Sequence, residues 1–299
     1  MDKPSGITSH DVVNQVRRLT GQPRVGHAGT LDPLATGLLP VLLGEATKIS
    51  PFATADDKAY EATARLGIRT DTLDAEGTLL TDEPLDPCLD VEAVERALGP
   101  LRGKITQAVP RYSAVKVDGR RLHELAREGR DVTTPFRQVT IHRLDLVDLT
   151  PPDLRLAVTC SKGTYIRQVV ADLGDALGPG AHVIALRRTR VGDLDVAEAV
   201  TLDQLQQPGV VPSHLLSLRQ WAARSLACLD CTEDQARRTR QGQTLSFADL
   251  GHPVPPPSTR FALVRQDELI AVAQPTDETD RDYRLLRVFV KTDAQRCPM

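Results

Sequence analysis

Two well-separated segments alternate apolar and polar residues with a period of two. They are Tyr60, Ala62, Ala64 and Leu66, and then Leu154, Leu156, Val158 and Cys160. That spacing buries one face of a strand in each segment. Helical spacing lies around and between them. Val12, Val13, Val16 and Leu19 follow Ser9 as an N-cap and stop at Gly21. Val91, Val94 and Leu98 are capped by Asp90 and ended by Gly99-Pro100. Leu122, Leu125 and Ala126 precede Gly129, and residues 164–177 carry Ile166, Val169, Val170, Leu173 and Leu177. Strands and helices thus mix without strict βαβ alternation, which points to an α+β fold. Its central sheet is mixed and mostly antiparallel, with flanking helices.

The tail has a different texture. Thr201 caps a short helix that Pro208 ends, and Thr232 with Gln235 forms a capping box. A proline-rich loop at 253–257 leads into short apolar runs at 261–264, 269–273 and 285–290. Such closely spaced runs predict a small β-barrel-like module. The boundary falls near residue 225, giving domains 1–225 and 226–299.

The 299 residues include 37 Lys and Arg against 40 Asp and Glu, a net charge of −3. A wholesale basic nucleic-acid binder is excluded, so any polyanion surface must be local. Residues 101–130 hold eight bases (Arg102, Lys104, Arg111, Lys116, Arg120, Arg121, Arg127, Arg130) and three acids, Asp118, Glu124 and Glu128. Residues 70–95 hold nine acids and no base. Each run alone reads as a solvated face, yet their segregation lets a polyanion bind one side and be repelled from another. No apolar run approaches the roughly 18 residues of a membrane span, and the first residues lack the order of a signal peptide. A soluble, cytoplasmic protein is expected. Cys88, Cys160, Cys228, Cys231 and Cys297 do not form a disulfide framework, and the lone Cys228-x-x-Cys231 reads as two ordinary thiols without a metal.

The least ordinary stretch is residues 24–39. Gly26, Gly29 and Gly37 permit turns and close approach, Pro33 stiffens the backbone at Asp32, and Leu38, Leu39, Val41, Leu42 and Leu43 anchor what precedes them. On local chemistry Asp32 reads first as a turn residue bonding backbone, and second as a carboxylate held for chemistry. No phosphate-binding glycine motif is present, so ATP or dinucleotide use is not expected.

This stretch resembles the signature of the bacterial tRNA pseudouridine synthase B family. Six further blocks keep the family's order: Lys3-Pro-Ser-Gly-Ile-Thr-Ser9, Gly44-Glu-Ala-Thr-Lys48, Lys58-Ala-Tyr60 with Arg65-Leu-Gly-Ile-Arg-Thr-Asp-Thr72, Tyr112-Ser-Ala-Val-Lys116, Cys160-Ser-Lys-Gly-Thr-Tyr-Ile-Arg167, and His182-Val-Ile-Ala-Leu-Arg-Arg188. They cover about the first 190 residues and decide for the functional carboxylate. The tail resembles a PUA-type RNA-binding domain more loosely. His123 departs from the family, which commonly has an aromatic residue there.

The resemblance implies isomerisation of uridine 55 in the tRNA T-loop, with no cofactor. It implies Asp32 as the catalytic carboxylate, with Arg167 as the cation that keeps it ionised and oriented. Tyr60, Tyr165 and Leu186 line the uracil pocket, His27 supports the flipped-out nucleotide, and Lys3 makes a charge contact nearby. Since Tyr165 and Arg167 cannot share one face of a regular helix, either an irregular first turn or roles on different sides of the pocket are expected. Arg187, Arg188, Arg190 and the 101–130 cluster are candidate phosphate contacts. The partner is tRNA, the protein is a monomer, and no membrane is involved. Two rivals stay open on the residues themselves: a non-catalytic RNA-binding or RNA-folding module of the same fold, and a carboxylate-dependent glycosyl hydrolase.

Overall fold

The two alternating segments are adjacent strands of one sheet. A computed structural model describes all residues except 118, 131–132, 208, 254, 257–258, 277–281 and 291–299. Asp118, Pro208, Pro257 and Cys297 therefore lie outside the described residues. The chain divides into two compact units: Met1–Val12, Ala28–Pro40 and Phe52–Leu202 in the first, and Val13–His27, Val41–Pro51 and Asp203–Met299 in the second.

The first unit is built on an eight-stranded sheet. Its strands are β1 (Asp2–Lys3), β2 (Thr36–Leu38), β3 (Lys58–Leu66), β4 (Gly103–Ala108), β5 (Phe136–Thr150), β6 (Asp153–Cys160) and β7 (Ala181–Val191). They run in the order β1-β2-β7-β3-β6-β5-β4, with Leu194–Asp195 added to β7. Every pair is antiparallel except β2 with β7, where Arg187 faces Thr36 and Arg188 faces Gly37. The sheet is thus mixed and mostly antiparallel, as the patterning implies.

Ala62, Ala64, Leu66, Leu154, Leu156, Val158 and Val183 form the apolar face of that sheet. Helix α4 (Ile166–Leu177) lies on β7 and β3 and buries Ile166, Val169, Val170 and Leu173, and α2 (Val91–Leu98) packs on α4. Burying each large side chain is worth about 1.5–3 kcal/mol, which outweighs the roughly 1 kcal/mol a glycine costs a helix. That glycine, Gly174, is where α4 meets the start of β7: a Cβ there would fall 2.1 Å from the Ala181 nitrogen.

Three local expectations change. Ser9 is the first residue of α1 (Ser9–Thr20), not its cap, because Thr8 and Asp11 exchange the capping bonds. The Ser9 hydroxyl is turned into the core instead. Leu19 is 42 % exposed, so the apolar stripe of α1 ends at Val16. Helix α4 begins at Ile166, with Tyr165 as its extended N-cap, because Ser161 and Thr164 close the preceding turn. The expected helix of α3 (Leu122–Arg127) is present, with Leu122 and Leu125 buried.

In the second unit a sheet runs β8 (Ala227–Asp230), β9 (Phe261–Arg265), β10 (Glu268–Pro275) and β11 (Tyr283–Val288). Among the described residues no pair joins β11 back to β8, so this is an open sheet and not a barrel. Its apolar side is closed by packing. Phe247, Phe261 and Tyr283 meet at centroid distances of 5.3–5.6 Å, and Leu245 donates its N–H to the Tyr283 hydroxyl at 3.1 Å. Cys231 belongs to that core, and its Sγ donates to the Val264 carbonyl at 3.3 Å.

Candidate active site

Asp32 sits in a turn that three other segments hold. The Ser9 hydroxyl accepts the Leu31 N–H at 2.8 Å and donates to the Leu31 carbonyl at 3.0 Å. Ala35 donates to the Asp32 carbonyl at 3.1 Å, and Gly6 to that of Pro33 at 2.9 Å. Lys3 is fully buried, with its ammonium donating to the carbonyls of Pro4, Ile7 and Pro33 at 2.7–3.1 Å. Burial pushes the Lys3 ammonium down and Asp32 partly restores it, so Lys3 both ties the turn and acts on the carboxylate.

The chain leaves the turn along β2, where Gly37 presses against β7. At φ +98°, a Cβ on Gly37 would fall 2.3 Å from the Arg188 carbonyl oxygen, so only glycine fits. The Arg188 side chain is 1 % exposed and faces the same loop. It donates from Nε to Leu38 at 2.7 Å, from Nη2 to Gly29 at 3.0 Å and from Nη1 to Thr30 at 3.4 Å. Arg188 therefore cannot serve as a phosphate contact; its guanidinium is spent on backbone carbonyls, and its bond to Leu38 is fully buried. Gly26, by contrast, has room for a Cβ, the nearest atom being Thr47 Cγ2 at 3.7 Å.

Arg167 faces Asp32 from the second residue of α4, with Nε 3.0 Å from Asp32 Oδ2. The Arg167 side chain is 6 % exposed and that of Asp32 is 38 % exposed, so a buried cation holds a carboxylate open to incoming groups. The other guanidinium nitrogens are engaged too. Nη1 lies 3.2 Å from Asp74 Oδ2 and donates to Thr72 at 2.6 Å, while Nη2 donates to the Tyr112 carbonyl at 3.1 Å.

No motif in the sequence marks Asp74 as a site residue; it lies inside the acidic run that reads as a solvated face. It is 3 % exposed, on a turn where Leu73 takes a left-handed φ of 64°. Thr72 Oγ1 and the Glu76 N–H donate to its Oδ1 at 2.6 and 3.1 Å. The one available signal is position, two residues past the Arg65 to Thr72 block. Burial pushes the Asp32 carboxyl above its ordinary value, Arg167 opposes this, and Asp74 adds to the rise. One cation thus serves two carboxylates, and Asp32 is the more exposed of them.

Tyr60 lies on β3 opposite Arg188 and is 8 % exposed. Burial raises its phenol, Arg188 opposes, and Asp32 adds a smaller rise, so the ring stands within the carboxylate's field. Tyr165, half-buried, has φ −100° and ψ 108°, which frees it from the helical face of Arg167. Leu186 on β7 lines a groove of about 580 Å³ with Leu34, Thr36 and Ala185, and that groove contains none of Asp32, Tyr60, Tyr165 or Arg167. His27 ends a short strand, Val25–His27, in the second unit, its carbonyl accepting from Ser50 at 3.4 Å. Arg187 forms a two-pronged pair with Asp2 at 2.7 and 3.0 Å, and Arg190 donates to Gly192 at 3.2 Å. All eight bases of 101–130 are exposed.

Comparison with known proteins agrees with this architecture. A crystal structure of a Cbf5-Nop10-Gar1 complex superimposes on 97% of the chain and 83% of its own, with a TM-score of 0.76 at 23% identity, a likeness of fold. Residues 17–166 match the TruB family pseudouridylate synthase (N terminal domain), and residues 167–213 match the tRNA pseudouridylate synthase B C-terminal domain. Fold and sequence together define a pseudouridylate synthase. The tRNA pseudouridine synthase B of Corynebacterium jeikeium is 41% identical over 98% of this chain and 94% of its own. That of Cupriavidus metallidurans is 44% identical over 96% and 93%. The chain belongs to the TruB family.

Proposed function

We propose that this protein isomerises uridine to pseudouridine in tRNA, at position 55 of the T-loop, with Asp32 as the reacting carboxylate. The observation that carries the reading is the 3.0 Å contact between buried Arg167 and the partly exposed Asp32. The tRNA substrate follows the names of the curated relatives, and the position follows the sequence resemblance alone.

The reaction breaks the C–N glycosidic bond, turns the uracil, and joins its C5 to the ribose. Nothing enters or leaves, so the balance needs no cofactor. The target base is stacked in a folded loop and must be flipped out first. Arg167 engages Oδ2 of Asp32, which leaves Oδ1 as the oxygen to meet the ribose of the flipped nucleotide. Charge-assisted bonds to Arg167 orient the carboxylate and oppose its protonation. Tyr60 and Tyr165 supply the aromatic walls for uracil, Leu186 an apolar one, and His27 fills space left in the RNA stack. The exposed bases of 101–130 meet phosphates and position the loop without reading its sequence. In this reading residues 1–225 catalyse and 226–299 add RNA contact. The protein acts as a monomer in the cytoplasm, where tRNA is found.

The test is to incubate the protein with uridine-containing tRNA, digest to nucleosides and map the altered position. Pseudouridine at 55 supports the proposal, and Asp32→Asn should still bind tRNA but make none. Free uracil would instead mark a hydrolase, and unchanged uridine a binding module.

A further inference from the structure

Gln107 is the fully buried amide of β4, and both ends of it meet the backbone of one residue. Its Oε1 accepts the Tyr165 N–H at 2.8 Å, and its Nε2 donates to the Tyr165 carbonyl at 3.1 Å. This is the exchange two paired strand residues make, performed by a side chain. The backbone groups fix the orientation of the amide, since only one arrangement gives both bonds.

The position matters because Tyr165 is the N-cap of α4. Its carbonyl already accepts helix bonds from Gln168 and Val169 at 3.1 Å, while an N-cap N–H has no partner in the helix. Gln107 takes that N–H and holds the residue extended. Arg137 stands directly opposite Gln107 on β5, so the two side chains share one face of the sheet. Arg137 donates to the Gly163 carbonyl at 3.2 Å, and its guanidinium carbon lies 5.5 Å from the centre of the Tyr165 ring. One cross-strand pair therefore grips Tyr165 twice, by its backbone and by its ring.

We infer that Gln107, seconded by Arg137, is a positioning residue that aims the Tyr165 ring at the base to be isomerised. This rests on the reading of Tyr165 as a wall of the uracil pocket. Without the clamp, Tyr165 is free to join α4 as an ordinary first-turn residue, and its ring would swing from its place against Arg137. A misplacement of about 1 Å in such a group costs on the order of 10²-fold in rate.

The test is a double-mutant cycle on single-turnover pseudouridine formation with full-length protein and a tRNA transcript. Tyr165→Ala should lose rate, which checks the reading of Tyr165 by itself; an unchanged rate there would overturn both that reading and the clamp. Gln107→Met keeps the length and removes both bonds. It should lose about 10- to 100-fold in rate while the tRNA dissociation constant stays within about twofold. The double variant should fall no more than about threefold below the worse single, because contacts acting through one group are not additive. Multiplying losses, with Tyr165→Ala itself impaired, would overturn the clamp and leave the reading of Tyr165 standing.

Gln107→Glu guards against simple loosening of β4. A protonated carboxyl donates and accepts as the amide does, whereas a carboxylate accepts only and repels the Tyr165 carbonyl. Arg137 on β5, with Tyr165 and Arg167 at the start of α4, are the titratable groups nearby. Arg137 favours the carboxylate and lowers the pH of the change without altering its sense. The rate of Gln107→Glu relative to wild type should therefore rise as pH falls. A ratio independent of pH would overturn the inference.

Discussion

Asp74 Oδ2 lies 3.2 Å from Arg167 Nη1, on the same guanidinium whose Nε meets Asp32. The arginine is thus fixed before substrate arrives, and its charge is shared. Asp74→Asn keeps the shape and removes the charge. Single-turnover rate is expected to fall roughly 10- to 100-fold, as for a slightly misplaced catalytic group, with tRNA binding unchanged in a filter-binding assay. Because Asp74 contributes to the raised pKa of Asp32, the acid limb of the remaining activity should move to lower pH.

In the wild type that acid limb should lie above the value of about 3.9 for a free aspartate. Burial raises Asp32 and Arg167 only partly offsets it. The measurement is a pH profile of single-turnover rate between pH 4 and 8 (roughly the range in which a buried carboxylate titrates). A rate that stays flat down to about pH 4 would show that the charge on Asp32 is fully compensated.

The same shift bears on stability. Asp32 has a folded pKa above its unfolded one, so folding takes up a proton in the window between them, and stability falls as pH rises through it. Asp32→Asn removes that charge. It is expected to melt above wild type at neutral pH, with the difference closing as pH falls below the folded pKa toward the unfolded one. Calorimetry at several pH values checks both the sign and the window.

Arg188→Ala would leave the carbonyls of Gly29, Thr30 and Leu38 without their donor. The Leu38 bond is buried and the other two are part-buried; an unpaired buried group costs about 1–3 kcal/mol, so a drop in melting temperature is expected, together with loss of activity. Gly37→Ala should be similarly severe, since a Cβ would fall 2.3 Å from the Arg188 oxygen.

Neutralising Lys116 or Arg121 should weaken tRNA binding and leave the rate at saturation unchanged. Both are exposed, and removing a single phosphate interaction should reduce the log–log salt slope by about 0.9. Arg188 gives the contrast, because it lies too deep to contribute to that slope.

Much of the frame is legible in the sequence. The period-two segments mark β3 and β6, Asp90 caps α2 with a 2.7 Å bond to Ala93, and Thr232 caps its helix with Gln235. These are local signals, decided within a few residues. What could not be read depends on distant partners. Asp74 resembles its solvated neighbours until Arg167, 93 positions later, is seen to need it. Arg188 looks like a phosphate contact because its sequence neighbours are basic, and only pairing with β2 shows it turned inward. Ser9 has the composition of a cap, but Leu31 claims its hydroxyl. The barrel-like module expected of the tail rests on strand count and spacing, which do not specify whether edges close.

The parallel pairing of β2 with β7 has a consequence for synthesis. Leu38 closes on Arg188 across 150 positions of chain, so the loop bearing Asp32 leaves the ribosome long before its brace exists. At about 5–20 residues per second, many seconds pass in which the nascent polypeptide holds the reactive acid on an unbraced segment. Enzymatic competence is therefore withheld until β7 has been translated, and a prematurely terminated chain would carry its signature stretch without any power to modify RNA.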